Sequence, residues 1–144
     1  MRYFSAGIEE EVIVIGLDSG EDILSSIEEV IKKRDIKNGV VVSGVGSLAK
    51  AHYHIVKPGN EKPWKDSYIK KEGTIEVISL QGIIANGEPH LHISMSQEDE
   101  AFGGHLEKGC LVLTLVEIVI KKISGNMKRI IHEMGYGQIC SDNN

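Results

Sequence analysis

Residues 40–48 read Val40-Val41-Val42-Ser43-Gly44-Val45-Gly46-Ser47-Leu48. The β-branched run suits a strand buried in a sheet. Gly44-Val45-Gly46-Ser47 has the outward look of a phosphate-binding loop. It lacks the later glycine, and strand residues rather than a helix follow it, so the dinucleotide fingerprint fails. Two glycines inside a strand then read as a bend or bulge of the sheet. This choice decides the fold, because it makes everything after Gly39 a succession of strands.

On the N-terminal side, Val12, Ile13, Val14, Ile15 and Leu17 make residues 8–17 another strand, broken by Asp18-Ser19-Gly20. Ser19, with Asp22 three residues on, resembles a helix N-cap, and Ile23, Leu24, Ile27, Val30 and Ile31 recur at helical spacing. Lys32, Lys33 and Arg34 sit where the helix dipole is negative, and Asn38-Gly39 closes the helix. On the C-terminal side, residues 52–56 alternate as a strand and 57–68 read as a loop. Residues 75–84 form a stretch interrupted by Gly82, and Asn86-Gly87 is a turn signal. Residues 90–95 and 110–123 are strands, and Ser124-Gly125-Asn126 turns into Met127–Ile131. The expectation is an α+β fold: a compact single domain over residues 1–144, one main helix packed on a mostly antiparallel sheet, with a core at about 2–131 and a tail beyond.

With 144 residues, one domain and one hydrophobic core are expected. Sixteen Lys+Arg against 21 Asp+Glu leave a net charge of −5, which argues against a charge-driven grip on DNA. Aromatics, at 5%, are too few for a stacking surface for single-stranded nucleic acid. Cys110 and Cys140 build neither a disulfide framework nor a four-cysteine zinc site, which fits a reducing compartment. The start turns acidic at Glu9-Glu10-Glu11, unlike a secretory signal, and the apolar stretch 110–120 is shorter than the ~20 residues a membrane helix needs. A cytoplasmic protein without membrane contact is expected.

The chemistry concentrates in Glu88-Pro89-His90-Leu91-His92-Ile93-Ser94 and Gly103-Gly104-His105-Leu106. Residues i and i+2 of a strand share a face, so His90 and His92 project together while Leu91 and Ile93 fill the other face. Residues 96–101 read as a connection that lets His105 fold back beside the pair. Three neutral imidazoles at Zn–N distances of ~2.0–2.1 Å are a common zinc shell, and a fourth position left to water keeps it open to catalysis. The same residues also fit two polar side chains on a solvated strand face, and Gly103-Gly104 fits a tight turn with positive φ.

Other candidates carry less. His52 and His54 share a strand with no third ligand near in sequence and read as surface or packed histidines. His132 is isolated. Glu117, inside an apolar strand, either backs a metal-bound imidazole or points to solvent or an interfacial lysine. Cys110 reads as a small core residue. Lys121-Lys122 with Lys128-Arg129 flank a hairpin, as a solubilising strand end or a nucleic-acid patch.

Taken in order, Ser43–Leu48, Gly73–Gly82, Gly87–Ser94, Gly103–Leu106 and Val116–Ile120 resemble the PPC domain, the plants and prokaryotes conserved domain, over about residues 2–131. The resemblance implies one helix against an antiparallel sheet, assembled as a homotrimer. It implies kinship with plant nuclear proteins in which an AT-hook grips A·T-rich minor grooves while this domain mediates self-association and partner contacts. No Arg-Gly-Arg-Pro core occurs in this chain, so that minor-groove reader is missing. For prokaryotic members the resemblance implies a metal, zinc, held by the residues that here are His90, His92 and His105.

The expected function is a homotrimeric, zinc-binding, DNA-binding-related regulatory module that contacts a protein partner and binds DNA weakly at most. The competing class is a zinc enzyme that uses a water held by three histidines on a small substrate, with Glu88, Glu107 or Glu117 as general base.

Overall fold

The structure, a computed structural model, describes residues 8–59 and 63–141. The reading of the acidic start falls largely outside the described residues; of the expected 57–68 loop, 60–62 lie outside them, and Lys57 and Lys65–Tyr68 are strand instead, paired in register from Lys57 with Lys65 to His54 with Tyr68. Strand β1 (Ile8–Asp18) leads to helix α1 (Ile23–Lys33) and then to β2 (Gly39–Lys57), β3 (Lys65–Ala85), β4 (Glu88–Gln97), β5 (Glu100–Leu106) and β6 (Leu111–Ile123). A separate antiparallel hairpin, β7 (Met127–Ile131) and β8 (Gly137–Ser141), ends the described chain.

The α+β expectation of a helix packed on a sheet is overturned: the domain is β-rich, mostly antiparallel, with a single short helix. The physical reason is the length and curl of the central strands. The six strands run in the order β1-β6-β2-β3-β4-β5, and β2 also pairs with β5. The first part of β2, Gly39 to Lys50, lies against β6, whereas Tyr53 and His54 lie against Leu106 and His105 of β5. Strands β2, β3, β4 and β5 therefore close on themselves. Leu48, Ile75, Leu80, Ile93, Met95 and Leu106 are almost fully buried within that sheet.

Helix α1 adds Ile23, Ile27 and Ile31 to this core, one residue per turn on one stripe. Its N-cap is Asp22, not Ser19: the Asp22 carboxylate accepts from the Ser25 amide at 2.9 Å and from the Gly109 amide at 2.6 Å. It ends at Arg34, before left-handed Asp35, rather than at Asn38-Gly39.

The glycine-interrupted β2 is bulged, as the Gly44–Ser47 pattern predicts. The β2–β6 register slips three times between Val41 and Lys50. Gly46, at φ 146°, lies so close to β6 that a Cβ would stand 2.2 Å from the Leu115 carbonyl oxygen. Among the described residues no helix is long and apolar enough to cross a membrane.

Candidate metal centre

Closure of the sheet sets histidines from three strands side by side. His105 of β5 is the register partner of His92 on β4 and of His54 on β2. Directly opposed residues share a face, and His90 lies two residues along from His92 on that face. The neighbouring positions Tyr53, Leu91, Ile93 and Leu106 point into the core. His105 stacks on His54 with ring centroids 4.4 Å apart, and meets His90 and His92 edge-on at 4.9 and 5.7 Å. His90 and His92 are themselves stacked at 5.4 Å.

The three histidines singled out from the sequence are thus brought together, and a fourth, His54, joins them. Sequence spacing missed His54 because its neighbour comes from a strand some fifty residues away. His52 is turned elsewhere, its Nδ1 donating to the Lys108 carbonyl at 2.6 Å. His132 belongs to the β7–β8 turn, where its Nδ1 accepts from the Met134 amide.

The expected connection at 96–101 is a tight hairpin between β4 and β5, turning at Glu98-Asp99. Gly103 and Gly104 do not serve a turn. They lie within β5, where a Cβ on Gly103 would stand 2.2 Å from the Ile93 carbonyl oxygen and one on Gly104 2.4 Å from that of His54. These two glycines let β5 lie tightly between β4 and β2, which is what brings His105 to both neighbours.

Of the three candidate acids, Glu107 is the one at the cluster. Its Oε1 accepts from His54 Nδ1 at 2.7 Å and stands 3.3 Å from His105 Nδ1. Glu117 is exposed on β6, opposite Gly16 and Val45, at the other end of β2 from His54. The expectation that Glu117 backs an imidazole is corrected accordingly: the carboxylate against the histidines is Glu107. Glu88 is exposed at the start of β4, paired with Ala85.

His54, His105 and Glu107 offer ligand atoms all within 4.8 Å of one another and can hold a metal ion. His105 Nδ1 is buried, and the group it faces is the Glu107 carboxylate that also holds His54. Burial, helped by the positive Arg129 and the adjoining imidazoles, pushes His90 down to about 4. Burial and His54 also lower His105, against the pull of Glu107. Both rings are therefore neutral near pH 7, the form in which imidazole binds a metal.

The histidines line a cavity of about 500 Å³ together with Gly135, Tyr136 and Gly137 of the β7–β8 hairpin. Cys110 is buried with its thiol raised to about 11 by burial, so it is a core residue and not a nucleophile.

Fold and site together define a small β-rich domain with a histidine-carboxylate cluster where its sheet closes. The chain belongs to the Plants and Prokaryotes Conserved (PCC) domain family, whose family model matches residues 4–124. It is 29% identical over 102 residues to the bifunctional protein GlmU of Synechococcus sp. (strain JA-3-3Ab), a match that takes in 70% of this chain and 15% of that protein. The chain spans only about a sixth of the length of such curated relatives.

Among solved structures it is similar to the metal-containing protein AF0104 of Archaeoglobus fulgidus (TM-score 0.80, 23% identity, 98% of this chain and 100% of that one). A plant- and prokaryote-conserved protein of Pyrococcus horikoshii gives a TM-score of 0.78 at 26% identity, covering 95% of each chain. A protein of Bacteroides thetaiotaomicron, provisionally named DNA-binding, gives 0.82 at 18% identity, covering 96% of this chain and 97% of that one.

Proposed function

We propose that this PCC domain is a homotrimeric zinc protein, with the ion held by His90, His92 and His105 and presented to a small molecule in the cavity. One observation carries the reading: His54, His105 and His92 occupy matched positions on three adjacent strands and, with His90, face a cavity rather than the core. Imidazole nitrogen suits zinc, and the metal-containing Archaeoglobus relative supports a metal here. A bound zinc ion supplies Lewis acidity. Glu107 accepts the Nδ1 proton of His54 and orients that ring, faces His105 Nδ1, and is the carboxylate placed to move a proton at the site.

The trimer is supported by apolar side chains on the outer face of the sheet. Val12, Val14, Val45 and Leu115, on β1, β2 and β6, are each about half or more exposed. The unpaired cysteines fit a cytoplasmic setting.

A DNA-related regulatory module is the second reading, favoured by the name of the Bacteroides relative. The charge distribution gives it little support. Of the four cations near the hairpin, Lys122 is bonded to Glu11, and Arg129 is turned toward the histidines. Binding to an A·T-rich duplex is expected to be weak and salt-sensitive. Sub-micromolar, sequence-selective binding at physiological salt would favour the DNA reading.

Elemental analysis of untagged protein, prepared without chelator, tests the main reading. One zinc per chain is expected, together with a folded protein after its removal. Protein with no bound metal, even after equilibration with zinc, would reject it.

A further inference from the structure

The β7–β8 hairpin follows the last residue that the family model matches, Ile123-Ser124 being its edge. It brings one cation, Arg129, to the histidine cluster. Arg129 is half-buried on β7, and its Nη2 donates to the Ile83 carbonyl at 3.3 Å. Ile83 is the strand partner of His90, so this bond seats the guanidinium beside that histidine. Arg129 Nε is buried and has no hydrogen-bond partner among the described residues.

An arginine carries five N–H donors in a planar fork, and leaving one of them dry and unpaired is costly. Burial disfavours its charge, and Glu88 is close enough to oppose that effect without bonding to the fork. A half-buried guanidinium with a donor to spare is a site for a planar anion, which takes two parallel hydrogen bonds from it.

The surroundings say which anion. Arg129, His90 and His92 line one cavity of about 590 Å³, a size common for small-molecule sites. The rest of its wall is mostly apolar, with Val40, Val42, Ile83 and Ile139, and Gln81 adds one amide. Apolar walls around a single fork suit an organic body with one carboxylate better than an inorganic oxyanion, which would leave the walls wet.

We propose that Arg129, delivered by the C-terminal hairpin, binds the carboxylate of a small aliphatic acid and holds its body against Val40, Val42 and Ile139, beside the histidines. The assignment names a ligand class for the cavity beside the site proposed above, the two having His90 and His92 in common, and rests on that reading only for the neighbouring metal; the contact with Arg129 needs no ion.

The experiment is a ligand-observed NMR titration with isobutyrate, its neutral isostere isobutyramide and inorganic phosphate. It uses metal-free and zinc-loaded protein, with Arg129→Gln and Arg129→Lys alongside. Isobutyrate is expected to bind both forms of the wild type, isobutyramide at least tenfold more weakly. R129Q should weaken isobutyrate at least tenfold in both forms, with unchanged zinc content and an unchanged circular dichroism spectrum, and R129K should fall between. Equal binding of acid and amide, wild-type affinity in R129Q, or phosphate binding as tightly as isobutyrate would overturn it. Zinc content near zero alongside Arg129-dependent binding would reject the metal reading and leave this one standing.

Discussion

His54 and His105 stack across the β2–β5 pairing with their rings 4.4 Å apart, and both turn Nδ1 toward the same Glu107 oxygen. The pairing exists because β2 changes partner along its length, from β6 to β5. His105 is consequently common to two possible ligand sets, one with His90 and His92 and one with His54 and Glu107.

Substitutions separate the two sets. His105→Ala is expected to abolish zinc binding, since it belongs to both. His90→Ala and His92→Ala should each lower affinity severely. Glu107→Gln and His54→Ala should weaken it by about 10–100-fold, as losses of orienting partners do. Competition with a chromophoric chelator reads each value. Full zinc affinity in H90A with none in H54A would move the ion to the His54 side.

The metal-free protein should lose stability in mild acid. His90 titrates at about 4 in the folded chain and near 6.5 when unfolded. Between those values the unfolded state binds the extra proton, so stability is full above pH ~6.5 and falls as pH drops toward ~4. Urea unfolding of chelator-treated protein at pH 7 and pH 5 measures this. His90→Gln, which cannot take up the proton, should flatten the difference. Equal slopes in wild type and H90Q would show that His90 contributes nothing to it.

Two glycines offer a test of packing with an internal control. Gly103→Ala places a Cβ 2.2 Å from the Ile93 carbonyl oxygen, so β5 must shift away from β4. A loss of about 1–3 kcal/mol or more is expected, along with weakened zinc binding as His105 moves. Gly59→Ala, at an exposed position beyond β2 with nothing within 4 Å of its Cβ, should change stability by no more than ~0.5 kcal/mol. Thermal melts of the two variants check the contrast, and similar melting temperatures would contradict the close approach.

Light scattering is expected to give a mass about three times the 15.8 kDa of the chain. Val14, 70% exposed on β1, is the most exposed apolar residue of the outer face. Val14→Lys should shift the distribution toward smaller species while leaving the circular dichroism spectrum intact. A wild-type monomer at micromolar concentration would remove the trimer from this account.

The strand character of residues 40–48, the bulge at Gly44–Ser47 and the common face of His90 and His92 were all legible in the sequence. Each depends on local rules: β-branched residues crowd a helix, glycine admits a close approach, and alternation fixes a strand's two faces. The order of motifs was legible too, and it pointed to the PCC family. The balance of helix to sheet was not. Helical periodicity marks α1 clearly, but it says nothing of how far two long strands curl until they bury their own face. Gly103-Gly104 read as a turn from composition, and only the spacing of β5 between its neighbours showed why a side chain cannot stand there.

His54, Glu107 and Arg129 reach the site through contacts between residues far apart in the chain. His54 and Glu107 meet where β2 leaves β6 for β5, and Arg129 arrives on a hairpin that follows the last strand of the main sheet. No local pattern encodes such meetings, because they follow from which strand edges remain unpaired once the core has closed. The sequence determined which side chains a strand would present, and the tertiary structure alone decided which of them would meet at the histidine cluster.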